Sequence, residues 1–193
     1  MKKAIAKMKL KSRSDFVIAL GEIDYKFSEP YWQHDRIFVS KHYDRDKSQP
    51  RLSLRTMVKN PGKSAVYGLV LRRHFADNHL DIVNTTQVKD YAETAQILYQ
   101  LGYELKYEVS RRREELIMSD TLRVFIDKID NLPGYYAKIE SDLSDADDPA
   151  AAYADLVETF KVLKVHGAPV QKTFGELLES SERNSTGEVP HSL

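Results

Sequence analysis

About eight segments of this chain carry strand signals, and most are joined by connections too short for the crossover that parallel strands need, so the pairing they permit is antiparallel. "RLSLRTMV" and "AVYGLVLRRHF" flank "KNPGK", where Pro61 and Gly62 suit the central positions of a type II turn. "YWQHDRIFVSKHY" precedes this hairpin across the polar stretch "DRDKSQP", and "HLDIV" follows it across "ADN". Further on come "YELKYEVSRRR", "TLRVFIDKI" and "YYAKIESDL", each rich in β-branched or aromatic residues. The opening "KMKLK" adds one more, with Lys7, Lys9 and Lys11 at alternate positions and therefore on one face of a strand. The fold class expected is α+β: a roughly eight-stranded antiparallel sheet or barrel with flanking helices.

Helical spacing interrupts this pattern three times. "TTQVKDYAETAQILYQLG" sets Val88, Tyr91, Ala92, Ala95, Leu98 and Leu101 on one face, with Thr86 as cap and Gly102 as stop. "DDPAAAYADLVETFKVLK" places Asp148 before Pro149, then Tyr153, Leu156, Val157, Phe160 and Leu163 on one face, with lysines toward its end where the helix dipole favours them. "SDFVIALG" is a shorter helix near the start. From "GELLESSERNSTGEVPHSL" onward polar residues outnumber those that could pack. Residues 1–170 are therefore expected to form the domain, and 171–193 a polar, partly disordered C-terminal tail.

The chain has 193 residues, 41% hydrophobic and 30% charged, which suits one globular domain with a sizeable core. Its 29 basic and 29 acidic residues cancel, so no global field argues for nucleic acid or membrane, and any anion site must come from local clustering. The absence of cysteine excludes a disulfide framework and a thiolate metal site or nucleophile, and fits a cytoplasmic location. "MKKAIAKMKLK" is basic like the start of a signal peptide, but no apolar run follows it, so secretion is not expected. The six histidines are scattered among strands and turns and organise no site.

Charge on the strands is what clusters. Arg51, Ser53 and Arg55 share a face of "RLSLR", Arg111 and Arg113 share one in "SRRR", and Arg72 is in phase with Val70 and His74. With the lysine row, four strands each offer a basic stripe. Each stripe alone reads as a solvated outer face. Four together suit a closed sheet whose stripes point inward, a basic tunnel fit for a polyanion, since the planar fork of arginine matches phosphate oxygens. Asp127 in "FIDKI" and Glu140 in "AKIES" are acids within strand patterns; facing such a tunnel they would neutralise arginines or hold Mg2+ or Mn2+.

Over about residues 4–165 the ordered landmarks resemble the CYTH family, the triphosphate tunnel metalloenzymes, which includes class IV adenylate cyclases, thiamine triphosphatases and inorganic triphosphatases. The family's Glu-x-Glu-x-Lys opening falls on "KMKLK", where Lys11 keeps the family identity. Its Gln-x-Asp-x-Tyr-Phe stretch resembles "QHDRIF" at Gln33, Asp35 and Phe38. Its basic strands resemble "RLSLR", "VLR" with Arg72, and "VSRRR" with Arg111 and Arg113. "YQLGYE" followed by "IDKIDNLPGYYAKIE" is similar to its Leu-Gly turn, Asp, second Leu-x-Gly and Glu-x-Glu. In the family the opening and late glutamates bind catalytic divalent cations; Lys7, Lys9 and Lys138 stand at three of those four places here, which leaves Glu140, with Asp127 as the other matching acid. Exchanging three carboxylates for three ammonium groups swings the local charge by about six units, which opposes two-metal chemistry.

The resemblance thus implies a small-molecule polyphosphate or nucleoside triphosphate as partner, bound by Lys7, Lys9, Lys11, Arg51, Arg55, Arg72, Arg111, Arg113 and Lys138. The ligand would be a nucleotide, a thiamine ester or polyphosphate, and metal-dependent catalysis would be altered or lost. Two other readings stand beside it: an active triphosphatase or cyclase using a single metal on Asp127 and Glu140, and a non-catalytic scaffold that uses the tyrosine-rich surface and the tail.

Overall fold

The computed structural model describes residues 1–21, 26–41, 50–59, 64–75, 79–163 and 165–186. In chain order the elements are β1 (Lys2–Leu10), α1 (Arg13–Gly21), β2 (Tyr31–Ser40), β3 (Arg51–Val58), β4 (Val66–Phe75), β5 (Leu80–Val88), α2 (Tyr91–Gln100), β6 (Tyr103–Ile117), β7 (Leu122–Ile129), β8 (Tyr135–Leu143), α3 (Pro149–Val162), β9 (Gly167–Pro169) and α4 (Phe174–Thr186). The type II turn at Pro61–Gly62, the acidic stretch "EIDYK" up to Tyr25, and the last residues, 187–193, lie outside the described residues.

All nine strands pair antiparallel in the order β5-β4-β3-β2-β6-β7-β8-β1-β9. β1 also pairs with β5 through Lys2↔Ile82, Lys3↔Asp81 and Ala4↔Leu80, so eight strands close into a ring. β8 covers one edge of β1 along its whole length; β5 takes the first residues of the other edge and β9 the last, at Met8↔Pro169 to Leu10↔Gly167. The expected α+β architecture is the one observed.

Period-two alternation decides which side of the ring each residue faces. Ala4, Ala6 and Leu10 of β1, Val124 and Ile126 of β7, and Ala137 and Ile139 of β8 pack outward against Phe16 and Leu20 of α1 and Leu156 and Phe160 of α3. Phe38 and Leu54 likewise pack outward under Ala95 and Leu98 of α2. The main apolar cores therefore lie between ring and helices, which leaves the inside of the ring to the other phase of every strand.

Local signals explain the helix ends, with two corrections. Asp148 caps α3 by accepting from Ala150 N, as its place before Pro149 suggests, and Gly102 follows α2 at φ 80°. Thr86 and Val88, expected as cap and first turn of α2, belong instead to β5, because the β4 ladder extends to Tyr67↔Val88; Asp90 is the cap and accepts from Glu93 N at 2.8 Å. The segment assigned to a polar tail carries α4. Thr173 and Glu176 form a reciprocal capping box, with Glu176 Oε2 accepting from Thr173 N at 2.7 Å and Thr173 Oγ1 from Glu176 N at 3.3 Å. Phe174, Leu177 and Leu178 then seat the helix on Val109, Ile129, Leu132 and Tyr136.

Candidate functional site

Inside the ring lies a cavity of about 480 Å³, within the range of small-molecule sites. Its walls carry ten Lys and Arg side chains against five carboxylates, so a chain of zero net charge concentrates positive potential at this place. Arg51, Arg55, Arg72, Arg111, Arg113 and Lys7 all line it, as their strand phases suggest, and so does Lys138. Lys9 and Lys11 do not. Lys11 lies past the end of β1 and is exposed, and Lys9, opposite Tyr136, runs beside Gly134 in the β7–β8 turn. Both have the right phase, but β1 outruns the cavity: β9 and the chain after it cross the mouth at Lys7, where Val170 N donates to Lys7 O at 3.0 Å.

Most of the buried cations are held in two ionic groups. In the first, Asp35 of β2 accepts from Arg55 Nε at 2.7 Å, from Arg111 Nη2 at 2.6 Å and from Gln33 Nε2 at 2.8 Å. Gln33 Oε1 in turn accepts from Arg113 Nη1 at 3.2 Å, and Arg113 grips Asp127 with two bonds of 2.6 and 2.8 Å. In the second, Glu140 accepts from Lys138 and from Lys3 Nζ at 3.1 Å, and Lys3 also reaches Asp142 at 2.8 Å. Phe125 separates the groups, with Lys138 Nζ 4.2 Å and the Arg113 guanidinium 4.6 Å from its ring centre.

The electrostatics follow from this pairing. Burial by itself would raise the Asp35 carboxyl, but Arg55 and Arg111 outweigh it and hold the group far below the carboxylate range. Asp127 and Glu140 are also held low, by Arg113 and by Lys138 respectively, each against the opposing effect of burial. Burial pulls Lys138 down to about 7 despite Glu140, and Arg111 down to about 10. Lys7 is lowered to about 8, first by burial and then by the nearby Arg72.

Three cations have capacity to spare. Among the described residues Lys7 Nζ donates only to the Lys172 carbonyl, at 2.5 Å, and has no carboxylate within ion-pair distance. The Nε of buried Arg111 has no hydrogen-bond partner among the described residues. Arg72 has neither an ion pair nor a hydrogen bond to a side chain among the described residues, although its charge reaches Glu140. Of the three only Arg111 is buried, where an unmatched donor is costly, while Lys7 and Arg72 are half-buried; an anion in the cavity would match all three.

The acids do not offer a comparable place for a divalent cation. Both Asp127 oxygens accept from Arg113, and Glu140 lies between two lysines; among the described residues no group of three His, Cys, Asp or Glu is set to hold a metal. The pair expected to ligate Mg2+ or Mn2+ is thus already occupied by the protein's own cations, and the donor set does not fit the ion.

Several lining residues were assigned no role from the sequence: Asp35, Gln33, Lys3, Arg123, Phe125, Phe174 and Glu176. The polar residues at 33 and 35 in a strand and the Thr173-x-x-Glu176 box were the available signals. α4 closes one mouth: the Phe174 ring lies 5.6 Å from Lys7 Nζ and 5.4 Å from the Arg111 guanidinium, and Glu176 lies 3.7 Å from Arg51.

A closed ring with charges inside and its two larger apolar cores outside is a tunnel-type fold, and the solved structures it resembles include CYTH-like proteins. They include PH1819 from Pyrococcus horikoshii, with a TM-score of 0.77 at 16% identity over 92% of this chain and 99% of that one. A candidate adenylate cyclase from Vibrio parahaemolyticus matches with a TM-score of 0.75 at 16% identity, over 92% of this chain and 97% of its own. HpAC1 from Hippeastrum, a candidate adenylyl cyclase with a dominant triphosphatase activity, matches with a TM-score of 0.55 at 12% identity, over 93% and 96%. No protein-family model and no curated protein matches the sequence, so the likeness is one of fold. Among the described residues no helix is long and apolar enough to cross a membrane.

Proposed function

We propose that this chain binds a triphosphate-bearing ligand, a nucleotide, a thiamine ester or polyphosphate, inside the ring, and that its lysines and arginines supply the countercharge that metal ions give in related enzymes. The observation that carries this reading is that Lys7 of β1, Arg72 of β4 and Arg111 of β6, whose Nε has no hydrogen-bond partner among the described residues, line one cavity already rich in cations. Lys7 and Lys138 face each other across the β1–β8 ladder, at two of the places where the family's glutamates would stand. Metal-dependent catalysis is accordingly altered or lost, because Asp127 and Glu140 would have to give up their cation partners to take a divalent ion.

A second reading, an active triphosphatase, is favoured by the triphosphatase activity of the Hippeastrum protein. Phosphoryl transfer is mainly positioning and charge stabilisation, which arginines and lysines can supply in part. A phosphate-release assay on tripolyphosphate and ATP, with and without Mg2+ or Mn2+, separates the two. Little metal-stimulated turnover is expected; robust metal-dependent turnover would put the enzyme reading first. Melting unchanged by every phosphate ligand would favour a scaffold.

A further inference from the structure

β1 has a gap on the edge it shares between β5 and β9: pairing with β5 ends at Ala4 and pairing with β9 begins at Met8. Two aromatic side chains line the cavity beside this gap, His79, just before β5, and Tyr153, from α3. Their rings are stacked, with centroids 3.9 Å apart and planes within 7°, and both side chains are half-buried. His79 holds a left-handed backbone at φ 55°, which costs energy in any residue with a β-carbon and recurs where a side chain is held for function. Tyr153 is oriented from the other side, its hydroxyl accepting from Gln171 Nε2 at 3.3 Å. A coplanar pair has outer faces on which a third ring can stack, and stacking on aromatics is indifferent to the identity of the ring.

We propose that His79 and Tyr153 form a subsite for the heterocyclic ring of a ring-bearing triphosphate, whose phosphates are held by Lys7 and Arg72 in the same cavity. This rests on the function proposed above and narrows it: inorganic polyphosphate, which has no ring, would leave the subsite unused. Nucleotides and thiamine esters share the required chemistry.

The test is calorimetric titration of the full chain with ATP, thiamine triphosphate and tripolyphosphate. At least one ring-bearing ligand is expected to bind about tenfold more tightly than tripolyphosphate, a ratio typical of one stacking contact; which one does so identifies the source of the ring. His79→Ala and Tyr153→Leu should remove that preference and leave tripolyphosphate affinity unchanged, whereas Tyr153→Phe, which keeps the ring, should retain it. Equal affinity of the wild type for all three ligands overturns the subsite but not the triphosphate site. Equal weakening of all three by His79→Ala and Tyr153→Leu also overturns it, since the pair would then only close the gap. Failure of the wild type to bind any of them overturns the proposed function and the subsite with it.

Discussion

Asp35 shows how far one side chain organises this cavity. It is buried, and it takes hydrogen bonds from Arg55, Arg111 and Gln33 at once. Removing one partner of a buried ionic group strands the others, so Asp35→Ala should cost about 3–5 kcal/mol in urea unfolding. Because Asp35, Asp127 and Glu140 are held low in the folded protein, the unfolded chain binds more protons as pH falls below about 4, near the free carboxylate values; the stability these groups contribute is present above that range and is lost below it. A loss of stability beginning above pH 6 would not match this. Lys7 has the opposite use. Its charge is lost as pH rises through about 8, so affinity for tripolyphosphate relative to that of Lys7→Arg, a ratio that cancels the titration of the ligand, should fall between about pH 7 and 9.

Among the helices, α4 contributes the most residues to the cavity lining, Phe174, Gly175 and Glu176, and Gly175 is its tightest point. A β-carbon there would come within 2.8 Å of the Tyr107 ring, so Gly175→Ala should push the helix off its seat. Hydrogen exchange should show protection lost over residues 174–181 with little change in the outer helices α1 to α3. The same element marks the limit of what the sequence reveals. Strand phase is a local property, so alternation alone suggests one interior for Arg51, Arg55, Arg72, Arg111 and Arg113, whereas Lys138 enters only through the family resemblance. Where a strand leaves the cavity is not local: Lys9 and Lys11 keep the phase of Lys7, and only the crossing of β9 and residues 170–176 sets them apart. α4 has few apolar residues because a single face suffices on a seat already built by Val109, Ile129 and Tyr136, so composition alone made it a tail. The role of Asp35 was hidden for a related reason, since its partners come from strands far along the chain.

At the scale of the whole molecule, the chain balances 29 basic against 29 acidic residues while lining its ring with twice as many cations as carboxylates. Attraction for a polyanion is then confined to the cavity and is only partly screened there, so tripolyphosphate affinity should weaken with salt far less than that of a protein whose outer surface is basic. On the proposed function, these built-in cations bind triphosphate without a metal. Calorimetric titration of the wild type with tripolyphosphate in excess EDTA tests it most directly, with Arg72→Gln beside it, since Arg72 has no hydrogen-bond partner among the described side chains to strand. Saturable one-to-one binding that persists in EDTA and weakens about tenfold or more in Arg72→Gln is the predicted result. Binding that appears only when Mg2+ or Mn2+ is added, or that is indifferent to Arg72→Gln, would contradict it.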